Sequence, residues 1–353
     1  MIDELRARID DADRRLVALL NERAAIAQEI GRMKHEAGDV DAYRPGREAE
    51  VLRRVLADNP GPLADADLAR IIREAMAACL ALESPLRVAF LGPPGTYTEQ
   101  AMHRFFGHAV EGIPCASVEG AMRDVEAGDA DCVVLPVENS TGGSVGDTLD
   151  RLARSPLAVC GEIALPIHHH LLGTCALEDV VRVHAHPQSF AQCRAWLGAH
   201  LPQARLVATA SNTEALDAAR SPGDAIIAGR HVAEAEGLEV LASRIEDEPD
   251  NATRFLVVGR RPAERTGDDR TSIAVAAKDR PGALMELLAP FSEAGVNMTR
   301  IESRPGRSAA WSYRFFIDMD GHQDDAAVAR VLERLAEVAA ELRVLGSYPK
   351  AVL

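Results

Sequence analysis

The sequence is poor in lysine: of its 39 basic residues only Lys34, Lys278 and Lys350 are lysines. Arginine-rich codon use accounts for the general bias, and against it a retained lysine marks a place where a compact point charge serves. Basic charge is scarce as a whole. The chain of 353 residues has a net charge of −15, and residues 1–85, 86–262 and 263–353 are each acidic, at −4, −9 and −2. No segment attracts a phosphate backbone on charge alone, which argues against nucleic acid as a partner. No apolar run approaches the length of a membrane span, so no membrane partner is expected. The opening MIDELRARID is charged from Asp3 onward and has no apolar stretch behind a basic start, as a leader would. The six cysteines (Cys79, Cys115, Cys132, Cys160, Cys175, Cys193) form no CxxC pair and no zinc spacing. They read as buried, reduced thiols of a cytoplasmic protein.

What is present is ordinary globular material, 47% apolar and 26% charged, long enough for two or three domains. Apolar residues at Leu5, Ile9, Ala12, Leu16, Leu19, Ile26, Ile30 and Met33 follow helical spacing and predict one helix from 3 to about 36, stopped by Gly38. Further helices are expected over Pro45–Leu56 and Asp65–Glu83. A helix roughly 50 Å long cannot bury its stripe against two shorter ones, so a partner chain is expected to cover it.

After Pro85 strands and helices alternate. Strands are expected at Leu86–Leu91, Cys132–Val137, Val180–His184, Arg205–Thr209, Asp224–Ala228 and Phe255–Val258. Helices are expected after Thr98 through Phe106, and at Ser189–His200, Thr213–Arg220 and His231–Glu236. That order implies a mostly parallel sheet with ligands at the carboxyl ends of its strands. Arg260–Arg270 reads as a linker. Beyond it the predicted order is strand Ser272–Ala277, helix Gly282–Glu293, strands Asn297–Ser303 and Trp311–Met319, helix Asp324–Ala340 and strand Val344–Tyr348. This βαββαβ order is the ferredoxin-like unit. The run His168-His169-His170 suggests metal only faintly, because neighbours on a strand face opposite ways.

On the first helix Arg23 and Lys34 share a face about 16 Å apart, whereas Arg6 lies about 25 Å from Arg23 on another face. One small ligand can touch both arginines only if an antiparallel copy brings its own Arg6. The stretches LRARIDDADRRLVALLNERAAIAQEIGRMK, YRPGREAEVL and IIREAMAACLALE resemble the all-helical chorismate mutase family over nearly all of residues 1–85. The resemblance implies an intertwined homodimer, or a higher homo-oligomer, whose site borrows Arg6 from the partner. Rearrangement of chorismate to prephenate needs no nucleophile, only a held dicarboxylate and charge at the developing ether anion. By resemblance Arg6 and Arg23 hold the carboxylates, Lys34 donates to the ether oxygen, Glu48 binds the ring hydroxyl and Arg47 supports them. Arg44 stands where the family often has aspartate. Cys79 and Glu83 stand where serine and glutamine are also seen. Glu83 can donate to the ether oxygen only when protonated, so burial is expected to raise its pKa.

Residues 86–262 carry LGPPGTYTEQA, PVENSTGG, HPQSFAQCRAWL and NATRF, a combination that resembles prephenate dehydratase. That family has two α/β lobes like periplasmic binding proteins and converts prephenate to phenylpyruvate. By resemblance Thr253 assists the leaving hydroxyl, as a hydrogen-bond donor or proton relay, with Glu138 as its partner. Thr96, Asn139, Ser140, Thr141 and Gln188 line the cleft, and Arg254 pairs a substrate carboxylate. Residues 271–353, through Arg280-Pro281-Gly282-Ala283-Leu284 and Asn297-Met298-Thr299-Arg300-Ile301-Glu302-Ser303-Arg304-Pro305, resemble an ACT regulatory domain that binds L-phenylalanine. Gly282, Ala283, Leu284, Asn297, Met298, Glu302, Ser303 and Arg304 are its expected contacts.

The three resemblances together imply a bifunctional enzyme of phenylalanine biosynthesis, feedback-inhibited by its end product, needing neither metal nor organic cofactor. Two rivals stay open: a dehydratase whose mutase is impaired by Arg44, and a non-catalytic sensor built from a two-lobed binding domain and an ACT module.

Overall fold

The computed structural model describes residues 1–37, 43–211, 214–305 and 313–352. Three helices come first: α1 (Ile2–Glu36), α2 (Pro45–Ala57) and α3 (Asp65–Ala81). Pro45 opens α2, where its fixed φ suits a first turn and its missing N–H costs nothing. Gly38, the expected stop of α1, lies outside the described residues. α1 buries no residue within the chain. Leu5, Ile9, Leu16, Leu19, Ile26 and Met33 all stay more than half exposed. Most of the apolar stripe read from the sequence is therefore left uncovered by the described residues of one chain.

The α/β part opens with β1 (Arg87–Leu91), α4 (Tyr97–Phe106), β2 (Glu111–Cys115), α5 (Val118–Ala127), β3 (Cys132–Asn139), β4 (Gly143–Ser144), α6 (Gly146–Leu152) and β5 (Ala158–Pro166). A second lobe follows with β6 (His170–Gly173), β7 (Arg182–Ala185), α7 (Pro187–Gln192), α8 (Arg194–His200), β8 (Arg205–Ala208), β9 (Asp224–Ala228), α9 (Arg230–Glu236) and β10 (Glu239–Ala242). The chain then returns to the first lobe as β11 (Ala252–Gly259). The first sheet runs β2-β1-β3-β11-β5, and the second runs β10-β6-β9-β7-β8.

Both sheets are mixed, which corrects the expectation of a mostly parallel sheet. β1 runs parallel to β2 and β3, but β11 is antiparallel to β3 and β5. The reason is the crossover: a strand arriving from the other lobe enters the first sheet from the opposite end. Two helix expectations also change. Ser189–His200 is broken at Cys193 into α7 and α8. Of Thr213–Arg220 only a 3₁₀ turn at Ala218–Arg220 forms, and Thr213 lies outside the described residues.

The last unit is β12 (Asp269–Ala276), α10 (Ala283–Ala294), β13 (Met298–Pro305), β14 (Tyr313–Asp320), α11 (Ala326–Val338) and β15 (Glu341–Pro349), the expected βαββαβ order. Its sheet runs β13-β14-β12-β15. The expected strand start at Trp311 lies outside the described residues. The sheet is covered on both faces. Ile273, Val275, Ile317 and Met319 pack against α10 and α11, while Ala274, Phe316, Leu345 and Tyr348 join the core of the first lobe. That division is the period-two alternation of a strand. Gly346 sits against the backbone of Val159 on β5, where any Cβ would collide with its carbonyl oxygen.

Charge crosses the same seam. Glu162 on β5, almost fully buried, accepts from Arg254 Nε at 2.9 Å, Arg270 Nη1 at 2.7 Å and the Ala351 N–H at 3.2 Å. Arg254 also donates to Asp318 at 2.5 Å and to the Tyr348 hydroxyl at 2.9 Å. Removing one partner from a buried ionic cluster costs about 3–5 kcal/mol, because the charges left behind stay dry. Glu162→Ala should therefore lower the melting temperature and open the seam between the first lobe and the C-terminal unit to protease. An unchanged melting temperature would contradict that role.

Candidate active sites

The helical segment and α4 enclose a cavity of about 520 Å³. Arg23 and Lys34 reach it from α1, Arg47 and Glu48 from α2, and Cys79 and Glu83 from α3 and its end. Six of the seven residues expected at the first site thus meet. Gly31 makes part of this possible: a Cβ there would stand 2.7 Å from Cγ of Glu83. Arg6 is absent from the cavity. Its side chain is exposed and pairs with Asp3 at 3.4 Å. Arg44, also on the cavity rim, turns its guanidinium to Glu264 at 2.9 Å. Of the cations expected here, Arg23, Lys34 and Arg47 therefore meet in the cavity and Arg6 does not.

Glu83 is half-buried, and burial raises the carboxyl of Glu48 in the same cavity. Desolvation lifts it from 4.5 to about 7, with the Arg73 guanidinium at 3.9 Å pulling the other way. The consequence for stability has a definite sign. Between about 4.5 and 7 the folded chain holds a proton that the unfolded chain has lost. The contribution of this group to stability therefore declines as pH rises through that window. Glu48→Gln removes the decline, so its melting temperature relative to the wild type should rise from pH 5 to pH 8. Parallel pH dependence of the two proteins would argue against a buried, proton-holding Glu48.

The second cluster lies where β11 re-enters the first sheet. Register places Thr253 opposite Asn139 and Arg254 opposite Glu138. The Asn139 amide Nδ2 donates to Asn251 Oδ1 at 3.0 Å and to Thr253 Oγ1 at 2.9 Å. Its Oδ1 accepts from the Thr141 hydroxyl at 2.8 Å, the Gly142 N–H at 2.8 Å and Gln192 Nε2 at 3.2 Å. These donors fix which way the amide points. Thr253 Oγ1 then serves Asn139 as an acceptor and keeps its own proton for another group. Ser140 joins through Asn251 Oδ1 at 3.3 Å and the Ala252 N–H at 3.0 Å, and Gln188 packs over Gly142.

Gln192 was not expected from the sequence, and it closes the cluster from the second lobe. It also donates to Thr141 Oγ1 at 2.6 Å and accepts from His169 Nε2 at 2.8 Å. Burial lowers the His169 pKa, and its Nδ1 lies 3.1 Å from the Tyr97 hydroxyl, which donates to His168 O at 2.9 Å. His168 pairs with Glu246 at 2.8 Å, the His169 backbone N–H donates to the same carboxylate at 2.9 Å, and His170 is buried in β6. Among the described residues no three His, Cys, Asp or Glu side chains converge as a metal site.

Three residues expected at this cluster point to other partners in the structure. Thr96 caps α4, accepting from the Glu99 N–H, and its hydroxyl donates to Leu91 O at 3.2 Å. The loop before it, Gly92–Gly95, lines a separate cavity of about 1050 Å³ between the lobes with Glu214 and His231. Glu138 turns away from Thr253 and pairs with Arg300 of β13 at 3.0 Å. Arg254 points to the regulatory unit, as described above. Alternation explains both, since residues 138 and 254 face opposite to 139 and 253 on their strands.

In the regulatory unit Gly282 adopts φ +84 at the start of α10, a conformation that favours glycine, and a Cβ there would meet nothing within 4 Å. Ala283 is buried and Leu284 exposed. Asn297 donates to Asp320 at 2.9 Å. Along the edge strand β13, Met298, Glu302 and Arg304 are half-buried on one face, and Ser303 is exposed on the other. Glu302 lies 4.0 Å from Arg300, and Arg304 pairs with Asp150 of α6 at 3.1 Å. Arg304 thereby engages the first lobe.

Comparison with known proteins follows the same division. Residues 5–84 match the family model of chorismate mutase type II, residues 88–263 that of prephenate dehydratase, and residues 271–337 that of the ACT domain. A bifunctional chorismate mutase/prephenate dehydratase from Stutzerimonas stutzeri is 48% identical over 99% of this chain and 98% of its own length. A protein of the same name from Aquifex aeolicus is 40% identical over 100% of this chain and 99% of its own. Among solved structures, prephenate dehydratase from Arthrobacter aurescens in complex with L-Phe is similar at 41% identity and a TM-score of 0.69, covering 75% of this chain and 90% of that one. The chain belongs to the family of bifunctional chorismate mutase/prephenate dehydratases.

Proposed function

We infer that the chain rearranges chorismate to prephenate in the helical cavity and then converts prephenate to phenylpyruvate at the Asn139–Thr253 cluster. The observation that carries this reading is the Thr253 hydroxyl, which accepts from Asn139 and so retains its proton for a substrate. Prephenate loses carbon dioxide and its ring hydroxyl as the ring becomes aromatic. Donation from Thr253 to the departing oxygen eases that loss while aromatisation supplies the driving force. Asn139, Ser140, Thr141 and Gln188 orient the substrate, and Gln192 closes the cluster from the second lobe. Thr253→Ala should lower the dehydratase kcat by about 10²–10³ while chorismate consumption continues. Near-normal dehydration would remove Thr253 from the chemistry.

The mutase half works as a homodimer in the cytoplasm. The exposed stripe of α1 pairs with a second copy, and Arg6 of each chain enters the other's cavity to join Arg23 and Lys34. Glu48 binds the ring hydroxyl, Arg47 supports it, and Glu83 and Cys79 complete the wall. The functional units divide at residues 1–85, 86–262 and 271–353. Arg6→Ala and Arg23→Ala should each abolish mutase turnover. Mixed after co-refolding, they should recover about a quarter of it, because half the dimers are mixed and each of those holds one intact site. Absence of recovery would argue that each chain builds its site alone.

L-phenylalanine acts as the allosteric effector at Gly282–Leu284 and at Asn297, Met298, Glu302 and Ser303. Inhibition requires it to bind two states of the enzyme unequally. Prephenate kinetics should turn sigmoidal in its presence, and hyperbolic kinetics at saturating phenylalanine would refute the regulatory role.

A further inference from the structure

The segment that follows β15 touches all three units in three consecutive residues. Lys350 is held by Asp268 at 3.1 Å and by Asp320 at 2.9 Å, and its carbonyl accepts from Arg53 of α2 at 3.3 Å. Ala351 donates its N–H to Glu162 of β5 at 3.2 Å. Val352 accepts from Arg73 Nη2 of α3 at 3.2 Å. Arg53 ties the same junction to the linker, donating to Thr266 Oγ1 and to Asp268 O at 2.8 Å each.

Arg73 is the member that reaches the mutase cavity. Its side chain is 12% exposed, and its Nε stands 3.9 Å from Glu48 with no hydrogen-bond partner among the described residues. A buried guanidinium donor left open beside a carboxylate is costly unless a small closing movement completes the bond. The carbonyl of Val352 holds the other end of that guanidinium in place. Glu48 and Arg73 also line one small pocket together with Lys350, Ala351 and Val352. Arg73 itself is absent from the lining of the large cavity, so it acts through Glu48.

We propose that Arg73 is a positioning residue for Glu48 and that segment 350–352 of the regulatory unit is what holds Arg73 in place. The inference rests on the mutase reading given above. It makes one wall of the mutase site depend on a strand end from the other terminus of the chain. The same Asp320 that grips Lys350 also accepts from Asn297, so the junction is continuous with one of the stretches assigned to the effector.

Three variants test it: the chain truncated after Lys350, Arg73→Met and Arg73→Lys. Chorismate consumption and prephenate dehydration are measured on the same samples. Truncation and Arg73→Met should each raise the mutase KM for chorismate about tenfold, the worth of one hydrogen bond to a charged group. The mutase kcat should stay within about twofold, since the contact acts on binding rather than on the rearrangement. Arg73→Lys, which keeps the charge but cannot bridge Val352 and Glu48 at once, should recover only part of the loss. Dehydratase constants should stay at wild-type values and report that the fold is intact. A wild-type chorismate KM in the truncated chain would overturn the proposal, as would equal losses in Arg73→Lys and Arg73→Met or a parallel loss of both activities. A wild-type chain that does not consume chorismate would instead overturn the mutase reading, and the proposal with it.

Discussion

The insertion of β11 between β3 and β5 is the constraint on which the rest depends. It is the strand by which the chain returns from the second lobe, so it closes the first sheet and fixes the two lobes together. Its register sets Thr253 against Asn139. On its other face it sends Arg254 into the regulatory sheet. One strand thereby carries the candidate chemistry on one side and the domain interface on the other. A slip of one residue would exchange the two faces, which is why the register has to be held by a buried core on both sides.

Arginine does most of the joining between units. Arg254 and Arg270 meet on Glu162, Arg300 and Arg304 bind Glu138 and Asp150, and Arg53 and Arg73 bind the segment after β15. A planar guanidinium can serve two or three acceptors at once, including backbone carbonyls, where an ammonium acts as a point charge. The preference for arginine over lysine thus has a structural use in this chain. The retained Lys350 fits the contrast, since it sits between the two carboxylates of Asp268 and Asp320.

The two halves of the chemistry are built differently. The Asn139–Thr253 cluster is assembled from both lobes of one chain. The mutase cavity gathers its cations and carboxylates from three helices, yet leaves Arg6 and the apolar face of α1 outside. A helix this long, packed against two short ones, buries too little of its own surface to be stable alone. In the homodimer proposed above, the same second copy covers that face and completes the diacid site.

Much of this was legible in the residues. Helical spacing gave α1 and its uncovered stripe, and local strand and turn signals gave the βαββαβ order of the last unit. The motif residues Asn139, Ser140, Thr141 and Thr253 do come together, as do Arg23, Lys34, Arg47, Glu48, Cys79 and Glu83. Gln192 and His169 were not legible, because their roles come from a second lobe meeting the first. The turning of Glu138, Arg254 and Arg304 toward a neighbouring unit was equally hidden. A sequence determines which side chains share a face of their own strand or helix, since that follows from local periodicity. Which face meets substrate and which meets another domain was decided only in the tertiary structure, because it depends on the partner that each face finds after the chain has crossed over.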